Sequence, residues 1–187
     1  MCIRDSHLTM LEGLIAAGKP EQAAAYIRKV QSDIETITPR RYCENELVNL
    51  LCSSFAEKAQ HAGARLDVDA RLPQALDISD AELCAVLSNA LENALHAVAA
   101  LPEKERTVSL YCAVRLGKLL IEVKNPYAGE LTLSPDGRPV TARKGHGYGC
   151  QSIQTIAARS GGLCEFKAVC GTFCLHIVLP LKAAAPV

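Results

Sequence analysis

The chain has no net charge: 20 Lys and Arg balance 20 Asp and Glu. Proteins that grip nucleic acid concentrate basic residues, so composition makes no case for such a partner. No stretch approaches the roughly 20 uninterrupted apolar residues of a membrane span, and the first residues do not read as a secretory leader. Nine cysteines are present, yet no two are spaced C-x-x-C. Cys170 and Cys174 fall in what reads as a strand hairpin, at its turn and on its second strand, so the spacing matches no zinc site. Their odd number and apolar-face positions describe small core residues in a reducing cytosol rather than a disulfide framework. The expectation is a cytoplasmic chain of 187 residues, long enough for one domain and a small appendage.

The most informative stretch is Asp80–Ala99. At 100° per residue, Leu83, Leu87, Ala90, Leu91, Ala94, Leu95 and Val98 fill one broad arc, the periodicity of a helix on a core. Asn89, Asn93 and His96 form a narrow stripe opposite. A carboxamide carries two donors and an acceptor, so two of them one turn apart suit a ligand with oxygens and a metal shell. A plain polar surface stripe fits the same residues. The counterpart is the loop Gly145-His146-Gly147-Tyr148-Gly149, which leads into a helix. Glycines let the backbone approach a ligand closely, and free N–H groups at a helix start favour phosphate. Arg143 and Lys144 add positive charge just before it; on a loop, such a pair also serves as an ordinary solvated surface.

In chain order, residues 1–6 resemble nothing that follows and read as a scar, with the natural chain starting upstream. Residues 7–38 read as a helical hairpin. Gly18 stops its first helix, Lys19-Pro20 restarts the chain, and Ala23, Ile27, Val30, Ile34 and Ile37 form an a/d seam. Pairing with a second copy into four helices closes that seam most simply; packing on the following domain is the alternative. Thr38–Arg41 is a linker. Glu44–His61 is a helix with Leu47, Leu50, Leu51, Phe55 and Ala59 inward, ended by Gly63. Leu66, Val68 and Ala70 alternate as a strand, and Ser79 or Asp80 caps the Asp80–Ala99 helix. Val108, Leu110, Cys112, Val114 and Leu116 alternate along a strand that turns at Gly117-Lys118 and returns over Leu119–Lys124. Residues 128–145 show no regular pattern. A helix over Gly149–Ser160 closes at Gly161-Gly162, and strands Leu163–Val169 and Thr172–Leu181 turn at Cys170-Gly171. The order predicts an α+β fold over residues 42–182: a two-layer sandwich with a mixed, largely antiparallel sheet and helices on one face, preceded by the hairpin.

The motif Leu87-Ser88-Asn89-Ala90-Leu91-Glu92-Asn93-Ala94-Leu95 resembles the N box of the GHKL ATPase superfamily. Lys144-Gly145-His146-Gly147-Tyr148-Gly149-Cys150-Gln151-Ser152-Ile153 resembles its second glycine box. With a helical hairpin in front, the likeness is to the cytoplasmic part of peptide-sensing and LytTR-paired sensor histidine kinases, here truncated at the N-terminus. The resemblance implies ATP and Mg²⁺ as cofactors, with Asn93 on the metal and Asn89 beside it. Asparagine in place of a glutamate base is the kinase pattern. Gly145, Gly147 and Gly149 would wrap the phosphates, with His146 and Tyr148 between them. His96 would point toward the phosphates or simply be solvated, and Thr172 would face the adenine pocket.

Two departures stand out. The first glycine box, D-x-G-x-G, is absent; Asn125, followed by Pro126-Tyr127, stands where its aspartate would, and its carbonyl can still accept the adenine amino group's hydrogen bond. The phosphoacceptor triplet R-H-D would fall where residues 1–6 stand, so His7 is not expected to be the acceptor. The resemblance implies a histidine kinase that passes the γ-phosphate of Mg-ATP to a histidine outside this chain. A homodimer, a response-regulator partner and a membrane-anchored parent follow from it. The alternatives are a non-catalytic dimerisation or docking module of the same fold, and a serine kinase of the anti-sigma type.

Overall fold

A computed structural model describes residues 3–27, 41–129, 134, 139 and 148–181. The chain divides into two compact units, Met1–Arg40 and Arg41–Val187. In the first, helix α1 spans Ile3–Ala16, beginning within the segment set apart above as a scar, and α2 is helical over residues 20–27. Gly18 joins them with φ of 68°. Lys19 N–H bonds back to the Leu14 carbonyl and Gly18 N–H to that of Ile15 (both 3.0 Å), the paired bonds of a Schellman stop. Val30, Ile34 and Ile37 of the seam lie outside the described residues.

The second unit contains α3 (Glu46–His61), β1 (Arg65–Arg71), α4 (Asp80–Val98), β2 (Thr107–Arg115), β3 (Lys118–Pro126), α5 (Tyr148–Arg159), β4 (Leu163–Val169) and β5 (Thr172–Pro180). The five strands form one sheet in the order β1-β2-β3-β5-β4. β1 and β2 are parallel, joined across α4, and every other pairing is antiparallel. Helices α3, α4 and α5 pack on the sheet and bury its alternate residues, among them Leu110, Ile121, Val123 and Ile177. The opposite face is polar: Glu122 pairs with Lys124 along its own strand and with His176 Nδ1 across it at 3.2 Å. The architecture is the expected α+β sandwich with a mixed sheet.

Several local expectations shift. α3 starts at Glu46 because Asn45, not Glu44, caps it, accepting the Val48 N–H at 3.0 Å. Its buried arc is Val48, Cys52, Phe55 and Ala59. Leu47 and Leu51 flank that arc, while Leu50 lies on the far side and is 71% exposed. Ser79 occupies the N-cap position of α4, but neither it nor Asp80 supplies a side-chain cap; the Ser79 carbonyl takes the Leu83 N–H instead.

The β2–β3 turn is Leu116-Gly117 rather than Gly117-Lys118, with Arg115 paired to Lys118. Both turn residues have positive φ, 50° and 68°, as a two-residue hairpin requires. Leu116 is therefore fully exposed instead of continuing the inward alternation. β3 runs on through Asn125 and Pro126, which pair with Phe173 and Thr172; a proline is tolerated at a strand's end, where no further ladder N–H is needed.

Candidate functional site

Topology sets one end of the sheet apart. α4 returns antiparallel to β1, so its C-terminal half lies where β2 begins. Register places the end of β3 and the start of β5 at that same end. Asn93, His96, Asn125 and Thr172 thus share one end of the domain, and α5 starts there because it runs back to feed β4.

The carboxamides meet the start of α5. A Cβ placed on Gly149 would stand 2.9 Å from Asn93 Nδ2 and 3.2 Å from both Asn89 Oδ1 and Asn93 Oδ1. Only glycine allows that approach without displacing both amides. Each amide is held through its nitrogen. Asn89 Nδ2 donates to the Ala85 carbonyl at 2.7 Å, one turn back. Asn93 Nδ2 donates to Cys150 Sγ at 3.5 Å, across to α5. Both asparagines are half-buried and Cys150 is buried. Two oriented carboxamide oxygens beside a helix N-terminus combine hard-cation ligands with an anion-favouring dipole end.

His96 is exposed at the end of the stripe. Asn125 is 2% exposed and donates through Nδ2 to the Pro126 carbonyl at 2.9 Å, which commits its nitrogen locally. Thr172 is half-buried opposite Pro126, and Tyr127 N–H reaches the Gly171 carbonyl at 3.2 Å, closing the β3 and β5 ends together. Tyr148 opens α5. Arg143, Lys144, Gly145, His146 and Gly147 lie outside the described residues. The structure therefore joins Asn89, Asn93 and Gly149, and sets Asn125, Thr172 and His96 at the same end of the sheet.

From sequence, Cys150 reads only as a thiol at a helix start, with nothing there that calls for a nucleophile. Its contact with Asn93 is what that reading missed. Among the described residues, no group of three or more His, Cys, Asp or Glu could hold a metal ion. An ion here would instead share asparagine oxygens with a ligand's own oxygens and water, the usual habit of Mg²⁺; the donor set fits. Two surface depressions lie elsewhere. One of about 520 Å³ is bordered by Tyr42, Arg71 and Pro73, and one of about 660 Å³ by Asp77, Glu82 and Arg159. Neither includes Asn89, Asn93 or Gly149.

Burial raises several thiols. Cys52 and Cys164 are pushed up to about 12, desolvation being the main cause in each, and fully buried Cys112 is raised well above its ordinary value. Cys52 and Cys112 lie in the core and Cys164 packs partly buried against it, and thiols held protonated in this way are inert. Among the described residues, none of the eight cysteines is joined in a disulfide.

A five-stranded mixed sheet under three helices, with paired asparagines facing a glycine at a helix start, defines an α+β sandwich built around one end of its sheet. Residues 78–180, more than half of the chain, match the family described as the GHKL domain, and the chain belongs to that family. Solved histidine kinases share the fold. The catalytic domain of ThkA aligns with a TM-score of 0.57 at 15% identity, covering 72% of this chain and 91% of that one. Full-length ShkA in complex with AMPPNP aligns with a TM-score of 0.58 at 20% identity over 80% of this chain; the match spans about a third of ShkA, 32%. The Acinetobacter baumannii histidine kinase AdeS aligns with a TM-score of 0.52 at 12% identity over 95% of this chain and 96% of its own. No curated protein matches.

Proposed function

We propose that the chain is the ATP-binding catalytic portion of a two-component sensor histidine kinase, which passes the γ-phosphate of Mg-ATP to a histidine outside this chain. The observation that carries the reading is the convergence of Asn89 and Asn93 on Gly149 at the start of α5. Membership of the GHKL family supports it, and so does the fold shared with histidine kinases, one of them solved with AMPPNP.

In this reading Asn93 is the metal ligand, and Asn89 orients water or phosphate beside it. A bound Mg²⁺ neutralises charge on the triphosphate. Asn89 cannot act as a general base, because a carboxamide takes no proton at neutral pH. The site is thereby suited to phosphoryl transfer, where positioning and electrostatics do most of the catalysis, rather than to activating water. The α5 N-terminus and Gly145, Gly147 and Gly149 hold the phosphates, with Arg143, Lys144 and His96 supplying charge or hydrogen bonds. Asn125 and Thr172 face the adenine. The hairpin of residues 7–38 dimerises the chain, and a response regulator receives the phosphoryl group.

Thermal melting tests the first step. Millimolar ATP with Mg²⁺ raises the melting temperature, because a ligand bound only by the folded state stabilises it; no shift would overturn the reading. Asn125 in place of the adenine-binding aspartate favours a second reading, a non-catalytic docking module. Radiolabelled ATP separates the two: label transferred in trans to a separately supplied acceptor hairpin excludes the silent module.

A further inference from the structure

We propose that Cys150 is a positioning residue for Asn93: its sulfur takes the carboxamide N–H, so that the carboxamide oxygen is the end presented to the divalent ion of a metal–nucleotide complex. The inference rests on the nucleotide reading above and goes beyond it by assigning a role to the thiol.

The two ends of a carboxamide have nearly the same size and opposite chemistry. Only the oxygen can ligate a hard cation, and rotation about the terminal torsion exchanges the ends at little steric cost. A metal-binding asparagine therefore needs a partner that tells its ends apart. Asn89 has one within its own helix, the Ala85 carbonyl at 2.7 Å. For Asn93 the partner comes from a different element: Cys150 Sγ on α5 at 3.5 Å, 57 positions along the chain. Cys150 is 7% exposed, so water competes poorly for the bond and a weak sulfur acceptor suffices. Gly149 and Cys150 then divide the work. Gly149, lacking a Cβ, lets α5 come against both amides; Cys150 sets which way one of them faces. Leucine or valine at 150 would fill the space and offer no acceptor.

The test uses the full chain with Cys150→Val and Cys150→Ser, melted at fixed ATP first with EDTA and then across a Mg²⁺ titration. The expected result for Cys150→Val is an unchanged melting temperature without ligand and an unchanged shift with ATP and EDTA. Its Mg²⁺ concentration for the half-maximal further shift should rise about three- to tenfold, at or below the low end of the usual loss when a ligand's outer partner is removed, since a thiol is a weak acceptor. Cys150→Ser, which restores an acceptor, should recover most of that loss. An unchanged Mg²⁺ midpoint in Cys150→Val overturns the proposal, as does a Cys150→Ser variant as impaired as the valine. If valine lowers the melting temperature without ligand, Cys150→Ala against Cys150→Ser carries the same comparison. A wild-type chain that shifts with neither ATP nor Mg-ATP overturns the nucleotide reading itself, and this inference with it. A wild type with an intact metal-dependent shift confines any failure to Cys150.

Discussion

At the scale of single residues, two glycines make opposite predictions for the same substitution. At Gly149 the atoms an alanine would meet are the ends of two asparagine side chains. Those ends can move, so Gly149→Ala should leave the melting temperature within a few degrees of wild type and abolish the shift produced by Mg-ATP. At Gly162 a Cβ would collide with the Val178 carbonyl oxygen, which belongs to the sheet backbone and cannot yield. Gly162→Ala should therefore cost about 2 kcal/mol or more by overpacking, read as a lowered urea midpoint. The cysteines predict a pH dependence. Unfolded thiols ionise near their ordinary value of 9.0, whereas folded Cys52 holds its proton to about 12. Between those values the unfolded state binds fewer protons, so stability falls as pH rises. Urea midpoints under reducing conditions should drop between about pH 8 and pH 10.5, and drop less in Cys52→Val. The carboxamide pair was legible from its four-residue spacing. The partner of Asn93 was not, because nothing near Asn93 in the chain announces Cys150.

At the scale of elements, helix stops were the most readable feature. Gly18, Gly63 and Gly161 all take positive φ at the ends of helices, where only a residue without a Cβ is unstrained. After α5, Gly162 N–H reaches the Ala157 carbonyl and Gly161 N–H that of Ala158, the same pair of bonds that closes α1. Hairpin turns were read unevenly. Cys170-Gly171 was placed correctly, with φ of 49° and 76°, but the β2–β3 turn was read one residue late because Leu116 continues the apolar alternation. Its side chain is wholly exposed at a φ of 50°. Leu116→Asn should stabilise the fold by about 0.5–1 kcal/mol, read as a higher denaturation midpoint, since asparagine tolerates this conformation and leucine does not. An unchanged or lower midpoint would contradict that account of the turn. The start of α3 was missed for a related reason: Glu44 looked helical, but Asn45 is the residue whose side chain can accept the Val48 N–H.

At the scale of the whole molecule, the chain is a GHKL domain preceded by a separate helical unit. The proposed dimer depends on the seam of that unit. Ile27 is 42% exposed within the chain, and the proposed dimer would cover it. The double substitution Ile27→Glu and Ile34→Glu should convert a dimer into a monomer by sedimentation while leaving the Mg-ATP shift of the second unit intact. A wild-type monomer would remove the dimer from the proposal.

Sequence alone determined which segments are helices and strands, where three helices stop, and that two asparagines and a glycine loop are its chemically distinctive parts. Each of those properties depends on residues within a turn or two of one another, and side-chain periodicity records them directly. The tertiary structure alone decided that β1 and β2 lie parallel, that Asn125 extends a strand, and that Gly149 and Cys150 come against Asn93. A carboxamide's orientation depends on the atom facing it. That atom arrives from an element folded back from far along the chain, and local pattern carries no information about it.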